Sequence, residues 1–332
     1  MFVGHEFLAL ALVGWAAHRV GHDARTAFGL GCVAALAALL PDLDVAYAVG
    51  TYAAAVAGGT PFGWEPFWGV ANGVHRVVTH PLPVGAVAAL TLGAGVALAR
   101  PSRRITPVSV GLVGVAAAAG SIAVLWRFWT TDPAAAVVAA VFLAITAVAG
   151  GVVGGRTGLD PVPSTLAAAV GFLTHPFGDV FLAVPPPLLS PFGPPVLTDR
   201  VVLAVDPTLN LLGILFVEVA TVWAGLAVAV RLWPFGSSWA APLRLRDVLG
   251  LPAAAGLAYV PAAIVLPRPT IVDAHILGFT IVPLAAVVGL WVSYHGVTDG
   301  AGTSRAILAG LVNGLAALTL SAGASLFVYV PG

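Results

Sequence analysis

The stretch AAAVVAAVFLAITAVAGGVVG, residues 134–154, carries no charge and is long enough to cross a bilayer as a helix. Similar stretches recur along the 332-residue chain, which is 59% hydrophobic and only 8% charged, whereas a soluble domain is about 25% charged. The mean hydropathy is +1.01. The sequence therefore predicts an all-α, polytopic integral membrane helical bundle and excludes a soluble multidomain protein.

The apolar segments predict about nine or ten transmembrane or membrane-embedded helices. They are residues 6–18, 27–40, 81–99, 107–126, 134–154, 164–184, 208–230, 247–266, 272–292 and 306–330, with a further partial helix over 45–58. The 39 glycines suit close helix packing in lipid. Residues 185–206 are too rich in proline for a helix and predict an ordered loop, re-entrant or acting as a lid.

The chain divides, on this interpretation, into a membrane-embedded core over 1–230 and a C-terminal helical extension over 231–332. Alternating the segments across the bilayer places ten of the fourteen arginines on one face. Because cytoplasmic loops are enriched in basic residues, we expect that face to be cytoplasmic and the protein to be a multi-pass protein of the plasma membrane. A net charge of zero gives no sign of a nucleic-acid partner.

Polar residues of four separate segments fall at the arginine-poor, extracytoplasmic end of this topology. They are His5, Asp42, Asp44, His75, His80, His175 and Asp179. Ionisable residues at membrane depth are costly and mark functional sites. Imidazole with carboxylate suits a divalent metal, zinc first, with manganese or iron as alternatives. Seven ligands exceed the needs of one ion, so we expect one or two.

The local spacing supports part of this set. His175 and Asp179 are four residues apart, on one face of a helix that contains Pro176. Pro41 predicts that the helix before Asp42 and Asp44 ends, leaving both carboxylates on a turn. Pro81 predicts a helix start directly after His80.

Each residue also has an ordinary interpretation. Asp42 could be a turn aspartate, Arg76 a snorkelling anchor or a phosphate ligand, and Thr79 a helix cap or a donor to a ligand. Asp206 precedes Pro207 as at a helix start. We expect His18, His22, Asp23, His295 and Asp299 to be solvated loop residues, and Asp273 and His275 to be cap or interface residues.

The order GHE, LLPDLD, HRVVTH, THPFGD and PPPLLSPF resembles the YdjM-type family of membrane proteins, which are regarded as metal-dependent hydrolases. The matching residues are His5, Pro41, Asp42, Asp44, His75, Arg76, Thr79, His80, His175 and Asp179. The resemblance covers about residues 1–230. Pro81 and Ser190 depart from the family's usual serine and tryptophan. The pattern is more distantly similar to zinc-dependent phospholipase C and nuclease P1-like enzymes.

The resemblance implies a phosphoesterase acting on a membrane lipid or lipid-linked substrate. Arg76 would hold the phosphate, a metal-bound hydroxide would attack, and Glu6 or a site aspartate such as Asp44 would act as general base. Two other hypotheses use the same residues. One is a metal-ion or proton transporter or channel, and the other is a non-catalytic membrane protein with a structural metal.

Overall fold

The computed structural model describes residues 3–71, 76–99, 107–181, 184–232, 248–271, 274–300 and 302–330, with side chains of helical residues 107–110 excepted. It is helical throughout, and no β-strand occurs in those ranges. The helices are α1 (Gly4–Arg19), α2 (Ala24–Leu39), α3 (Val45–Ala57), α4 (Trp64–Ala71), α5 (Leu82–Ala99), α6 (Pro107–Trp129), α7 (Pro133–Thr157), α8 (Pro161–Asp179), α9 (Pro207–Leu232), α10 (Tyr259–Val265), α11 (His275–Thr298) and α12 (Thr303–Tyr329). Within the same ranges, two 3-10 segments occupy Leu40–Asp44 and Leu251–Ala258.

The predicted polytopic helical bundle is confirmed. Seven segments in the described ranges are long and apolar enough to cross a membrane, and one of them, Ala24–Ala57, runs through α2 and α3. The segments predicted over 6–18 and 164–184 correspond to α1 and α8, which are outside those seven. The first is only 16 residues long, and prolines, hydroxyls, a histidine and an aspartate dilute the hydropathy of α8.

The chain forms two compact units. The first contains Val3–Val201, and the second begins at Val202 and includes nearly all of α9 and the helices after it. The sequence-based boundary at residue 230 stays a prediction. In the second unit, α9, α10, α11 and α12 share a core around Leu212, Ile281 and Tyr329.

In the first unit, α8 lies against α1, α2 and α5. Small residues make this packing close. Gly171 of α8 contacts the backbone of Ala34 and Ala38 in α2, where any larger residue would collide. Gly85 of α5 lies against the Phe172 carbonyl, which cannot bond to a backbone N–H at Pro176 because proline has none.

Two neighbouring glycines of α7 test how much the close packing contributes. A Cβ at Gly154 would lie 2.6 Å from the Val96 carbonyl oxygen of α5, whereas a Cβ at Gly155 would have no neighbour within 4 Å. We expect Gly154→Ala to destabilise the protein by about 1–3 kcal/mol. Gly155→Ala should be neutral or stabilising by up to about 1 kcal/mol, because alanine favours helix. Thermal unfolding in detergent micelles measures both, and equal unfolding midpoints would contradict the close-packing argument.

Candidate metal centre

Four segments of the first unit meet at one end of its helices. They are the start of α1 with His5, the 3-10 segment after α2 with Asp42 and Asp44, the segment before α5 with Arg76 and His80, and the last turns of α8 with His175 and Asp179. The helices alternate in direction, so residues far apart in sequence lie at the same depth. The predicted convergence at one end is confirmed for these residues. His75 lies outside the described residues.

Asp42, His80, His175 and Asp179 form the centre of this site. One ligand atom from each lies within 4.8 Å of all the others. The side chains of His80 and His175 are fully buried, that of Asp179 is 1% exposed, and that of Asp42 is 29% exposed. Of the four ligand residues, Asp42 is thus the one that is appreciably accessible from outside.

The distances within the cluster suit a cation. His80 Nε2 lies 3.3 Å from Asp42 Oδ1 and 3.3 Å from Asp179 Oδ2, while His175 Nε2 lies 3.5 and 3.7 Å from the same two oxygens. A tetrahedral ion with bonds of about 2.0–2.1 Å keeps its ligand atoms about 3.3–3.4 Å apart. The four imidazole–carboxylate distances are thus close to the separation that coordination requires.

A hydrogen-bond relay determines which nitrogen of His80 faces the cluster. The Thr79 hydroxyl donates to Asp44 Oδ2 at 2.7 Å and lies 2.9 Å from His80 Nδ1. Because that hydroxyl has one proton and the Asp44 carboxylate can only accept, Nδ1 donates to Thr79. The Nε2 lone pair of the neutral ring is then directed at the cluster, as in metal-binding histidines whose other nitrogen is held by a polar partner.

Asp44 therefore lies beside the cluster, on the Nδ1 side of the His80 ring. It directly precedes α3 but does not cap that helix with its side chain. Its Oδ2 instead accepts from the Arg76 backbone N–H at 2.9 Å and lies 3.8 Å from His80 Nδ1. The predicted roles of Asp44 as ligand and base stay predictions, but this geometry favours a supporting role.

The buried ring of His175 is the most direct indication that the cluster holds a cation. Within the described structure, neither of its ring nitrogens has a hydrogen-bond partner, although both are buried. Its ring packs against those of His5 and His80, with centroids 4.1 and 4.6 Å away. A buried, unsatisfied imidazole beside two carboxylates is costly, and a bound ion would remove that cost.

His5 contacts the opposite oxygen of Asp179. Its Nε2 lies 3.5 Å from Asp179 Oδ1, whereas the cluster uses Oδ2. His5 thus orients Asp179, and its predicted role as a further ligand stays a prediction. Glu6 follows it in the first turn of α1 and is partly buried.

Arg76 lies at the edge of the cluster with an unusual backbone. Its φ is +76°, in the left-handed region that is uncommon for arginine. Its Nε lies 3.4 Å from Asp179 Oδ2, and its side chain is 13% exposed. In the described residues, Nη1 is buried without a hydrogen-bond partner. Backbone strain and an unsatisfied guanidinium nitrogen at one residue are typical of a binding position.

The carboxylates make the cluster attractive to positive charge. Burial on its own would lower the pKa of His80, but hydrogen bonds to Asp179 and Asp42 and the charges of Asp179 and Asp44 raise the pKa to about 9. A metal ion would take the place of this proton.

Backbone hydrogen bonds hold the proline-rich loop beside the cluster, and no local pattern in the sequence predicts these contacts. The Leu188 carbonyl accepts from the Leu82 N–H at 2.9 Å, two residues after His80. Val201 donates to the Val180 carbonyl at 2.7 Å, one residue after Asp179. The described part, 184–206, contains no helix, as predicted.

Other polar residues lie elsewhere, but His18 and His295, which were expected in loops, lie in the last turns of α1 and α11. Asp23 caps α2 by accepting from the backbone N–H groups of Arg25 and Thr26. Asp206 accepts from the Leu209 N–H at the start of α9 and pairs with Arg268 at 3.1 Å in the second unit. His18 is exposed at the far end of α1 from His5. Asp273 lies outside the described residues.

Removing the Thr79 hydroxyl tests the relay. We expect Thr79→Val to weaken metal binding by about 10–100-fold, as is usual for the partner of a ligating histidine, and Thr79→Ser to restore it. Thr91→Val is the matched control, because the Thr91 hydroxyl bonds only to the Val87 carbonyl of its own helix. Competition titration against a chelator measures the affinities. Equal affinity in the two valine variants would show that the relay does not support His80.

The comparisons with known proteins identify a family for this chain. A family described as YdjM inner membrane protein matches residues 1–242. No characterised protein and no solved structure shows significant similarity to the chain. The more distant resemblance to phospholipase C and nuclease P1-like enzymes therefore finds no support. The chain is a multi-pass membrane protein with a buried Asp/His cluster that could hold a metal ion. Because the match covers well more than half of its length, the chain belongs to the YdjM inner membrane protein family.

Proposed function

We propose that the protein is a membrane-embedded, metal-dependent hydrolase that cleaves a phosphoester in a lipid or lipid-linked substrate. The observation that carries the proposal is that four ligand atoms, three of them on buried residues, lie within 4.8 Å of one another beside an arginine with an unsatisfied guanidinium nitrogen. Zinc is the first choice for two imidazoles and two carboxylates, with manganese and iron as alternatives.

Asp42, His80, His175 and Asp179 would hold the ion. A divalent ion in such a site supplies Lewis acidity, which lowers the pKa of a water and polarises a phosphoryl oxygen. The protein's own contribution is to fix the ligands. Thr79 and Asp44 hold the His80 ring in one orientation, and His5 holds Asp179 from its other oxygen.

Arg76 would bind the phosphate. Its guanidinium offers a planar set of donors that matches the geometry of phosphate oxygens. The Asp44 carboxylate fixes the backbone of Arg76, and Asp179 holds Nε, so the group is positioned before substrate arrives. Hydrolysis forms a bond from water oxygen to phosphorus and breaks the phosphorus–ester oxygen bond. Glu6 is the proposed base that accepts the water proton, which ends on the leaving alkoxide.

Exposed aromatic residues in the segment that links Asp44 to Arg76 favour a lipid substrate. The segment between Asp44 and Arg76 includes the α3 and α4 helices, whose connecting turn is fastened by the Tyr52 hydroxyl to Gly63. Phe62 is 88% exposed and Trp64 is 54% exposed, and Glu65 is the one charged residue in 45–71. Surfaces of this kind occur where a protein meets the membrane interface.

The distribution of charge disfavours transport through the first unit. A proton or ion path needs polar groups at successive depths. Residues 7–17, 26–41, 82–99, 133–155 and 161–174 contain neither a charged residue nor a histidine. These five segments therefore offer no charged residue or histidine between their two ends, and the candidate ligands lie together at one end, which favours a site over a transport path.

A structural metal site is the second candidate, because four protein ligands can close a tetrahedral sphere. A turnover assay distinguishes the structural metal site from the hydrolase site. We expect the metal-loaded protein to release product from phosphoester lipids, and chelation to remove this activity. Stoichiometric metal without turnover on lipid or soluble phosphoesters, together with a lowered unfolding temperature after chelation, would favour the structural role instead.

The extracytoplasmic location of the site is also a proposal, supported by the arginine distribution. In a Cys32→Ala background, we expect Asp199→Cys, on the exposed part of the loop, to react with an impermeant maleimide in intact cells. Labelling that requires permeabilised membranes would reverse the orientation.

A further inference from the structure

A groove of about 340 Å³ lies in the second unit, where α11 ends and α12 begins. Its lining combines Trp291, His295 and Arg305 with small or apolar residues such as Val248 and Ala309. This lining joins a cation to apolar surface, as a phospholipid site requires. The groove belongs to the part of the chain that follows the family-matched residues, apart from the distant Asp/His cluster in sequence.

The positive charge of the groove comes from Arg305, which has no carboxylate partner in the described part of the chain. Arg305 is exposed, and no carboxylate of the described chain lies within ion-pair distance of it, Asp299 on the adjoining turn included. It is the third residue of α12, whose first turn has no side-chain cap at Gly302. Arg305 lies near the positive end of the α12 helix dipole, which is unfavourable for a cation on its own. The charge of Arg305 and the helix dipole together favour a bound anion.

Aromatic residues place the groove at a membrane-interface environment. The Trp291 and His295 rings have centroids 4.3 Å apart, and Tyr294 contacts the same histidine at 5.5 Å. Trp291 is 60% exposed and Tyr294 66% exposed. Exposed tryptophan and tyrosine near the end of a membrane helix are typical of the headgroup region.

We propose that this groove binds the headgroup phosphate of an anionic phospholipid. The phosphate lies against Arg305, His295 and the first N–H groups of α12. The apolar residues of the lining contact the upper part of the acyl chain. Basic grooves between membrane helices bind anionic headgroups in this way. The proposal is independent of the hydrolase activity.

The test is native mass spectrometry of the full chain in detergent, titrated with dioleoyl phosphatidylglycerol or dioleoyl phosphatidylcholine. We expect the wild type to bind phosphatidylglycerol at least about fivefold more tightly, the effect of roughly one basic residue near a membrane surface. Arg305→Gln should lose that preference. Arg231→Gln is the matched control, since Arg231 is exposed at the end of α9 and does not line the groove. His295→Gln gives a second variant should Arg305→Gln fold poorly, and it should also reduce the preference.

Three outcomes would overturn the proposal. Equal binding of the two lipids would show that the groove does not select charge. Equal losses in Arg305→Gln and Arg231→Gln would show a general surface effect. Displacement of phosphatidylglycerol by inorganic phosphate at equal concentration would show an anion site that does not select lipid.

Discussion

Replacing His175 with alanine is expected to remove the stoichiometric metal from the purified protein, with a loss of affinity above about 100-fold. The physical reason is that His175 Nε2 supplies one of four donors and faces both carboxylates of the cluster. A loss of this size exceeds the 10–100-fold usual for residues behind the ligands. Elemental analysis by mass spectrometry measures the metal content, and competition against a chelator measures the metal affinity. His18→Ala is the matched control, because His18 lies exposed at the opposite end of α1.

Asp42→Asn provides an independent test with less risk to folding. The Asp42 side chain is 29% exposed, so its replacement leaves no cavity, yet it removes a charged donor 3.3 Å from His80. In wild type, metal at 100 times its dissociation constant should raise stability by about 2.7 kcal/mol. Added metal should raise the unfolding temperature of wild type and His18→Ala, and not that of Asp42→Asn or His175→Ala. Full metal content in both cluster variants would refute the metal centre.

Replacing Arg76 with asparagine is expected to reduce kcat/KM for the phosphoester by about 10²–10³, the cost of removing one preorganised charge-stabilising group. Metal content should be unchanged, because Arg76 is not among the four donors. Asparagine tolerates the left-handed backbone at φ +76° and keeps the N–H that binds Asp44, so the variant should fold normally. Activity and metal content are measured on the same preparation.

Arg76→Lys separates charge from geometry. Lysine retains the positive charge but lacks the planar donors, so we expect activity between wild type and Arg76→Asn. Arg127→Gln is the control, since Arg127 lies in the last turn of α6. If Arg76→Asn retained wild-type kcat/KM on a confirmed substrate, Arg76 would not bind the phosphate.

Much of the architecture followed from local features of the sequence. The long apolar runs became helices, and Pro41 ended α2 at Leu39 as predicted, with Asp42 and Asp44 on a 3-10 turn. Pro81 precedes the first residue of α5 by one position. The short helix α4 was missed, because its eight residues follow a glycine- and proline-rich turn and are too few for a clear period.

The details of the site were less accessible. Asp42 and Asp44 are chemically identical and two residues apart, and nothing in the sequence separates their roles. In the structure, Asp42 faces His80 Nε2, whereas Asp44 contacts Thr79 and the Arg76 backbone. The difference arises from the 3-10 turn, which directs the two side chains to different partners.

The sequence by itself determined that the chain is a helical membrane protein whose polar residues gather at one end. In a bilayer each helix must satisfy its own backbone hydrogen bonds, so apolar length and proline position decide the helices locally. Only the tertiary structure decided which residues form the cluster, which nitrogen of His80 faces it and where Arg76 lies. Those features depend on the rotation and depth of α1, α5 and α8 against one another, which side-chain packing between distant segments determines.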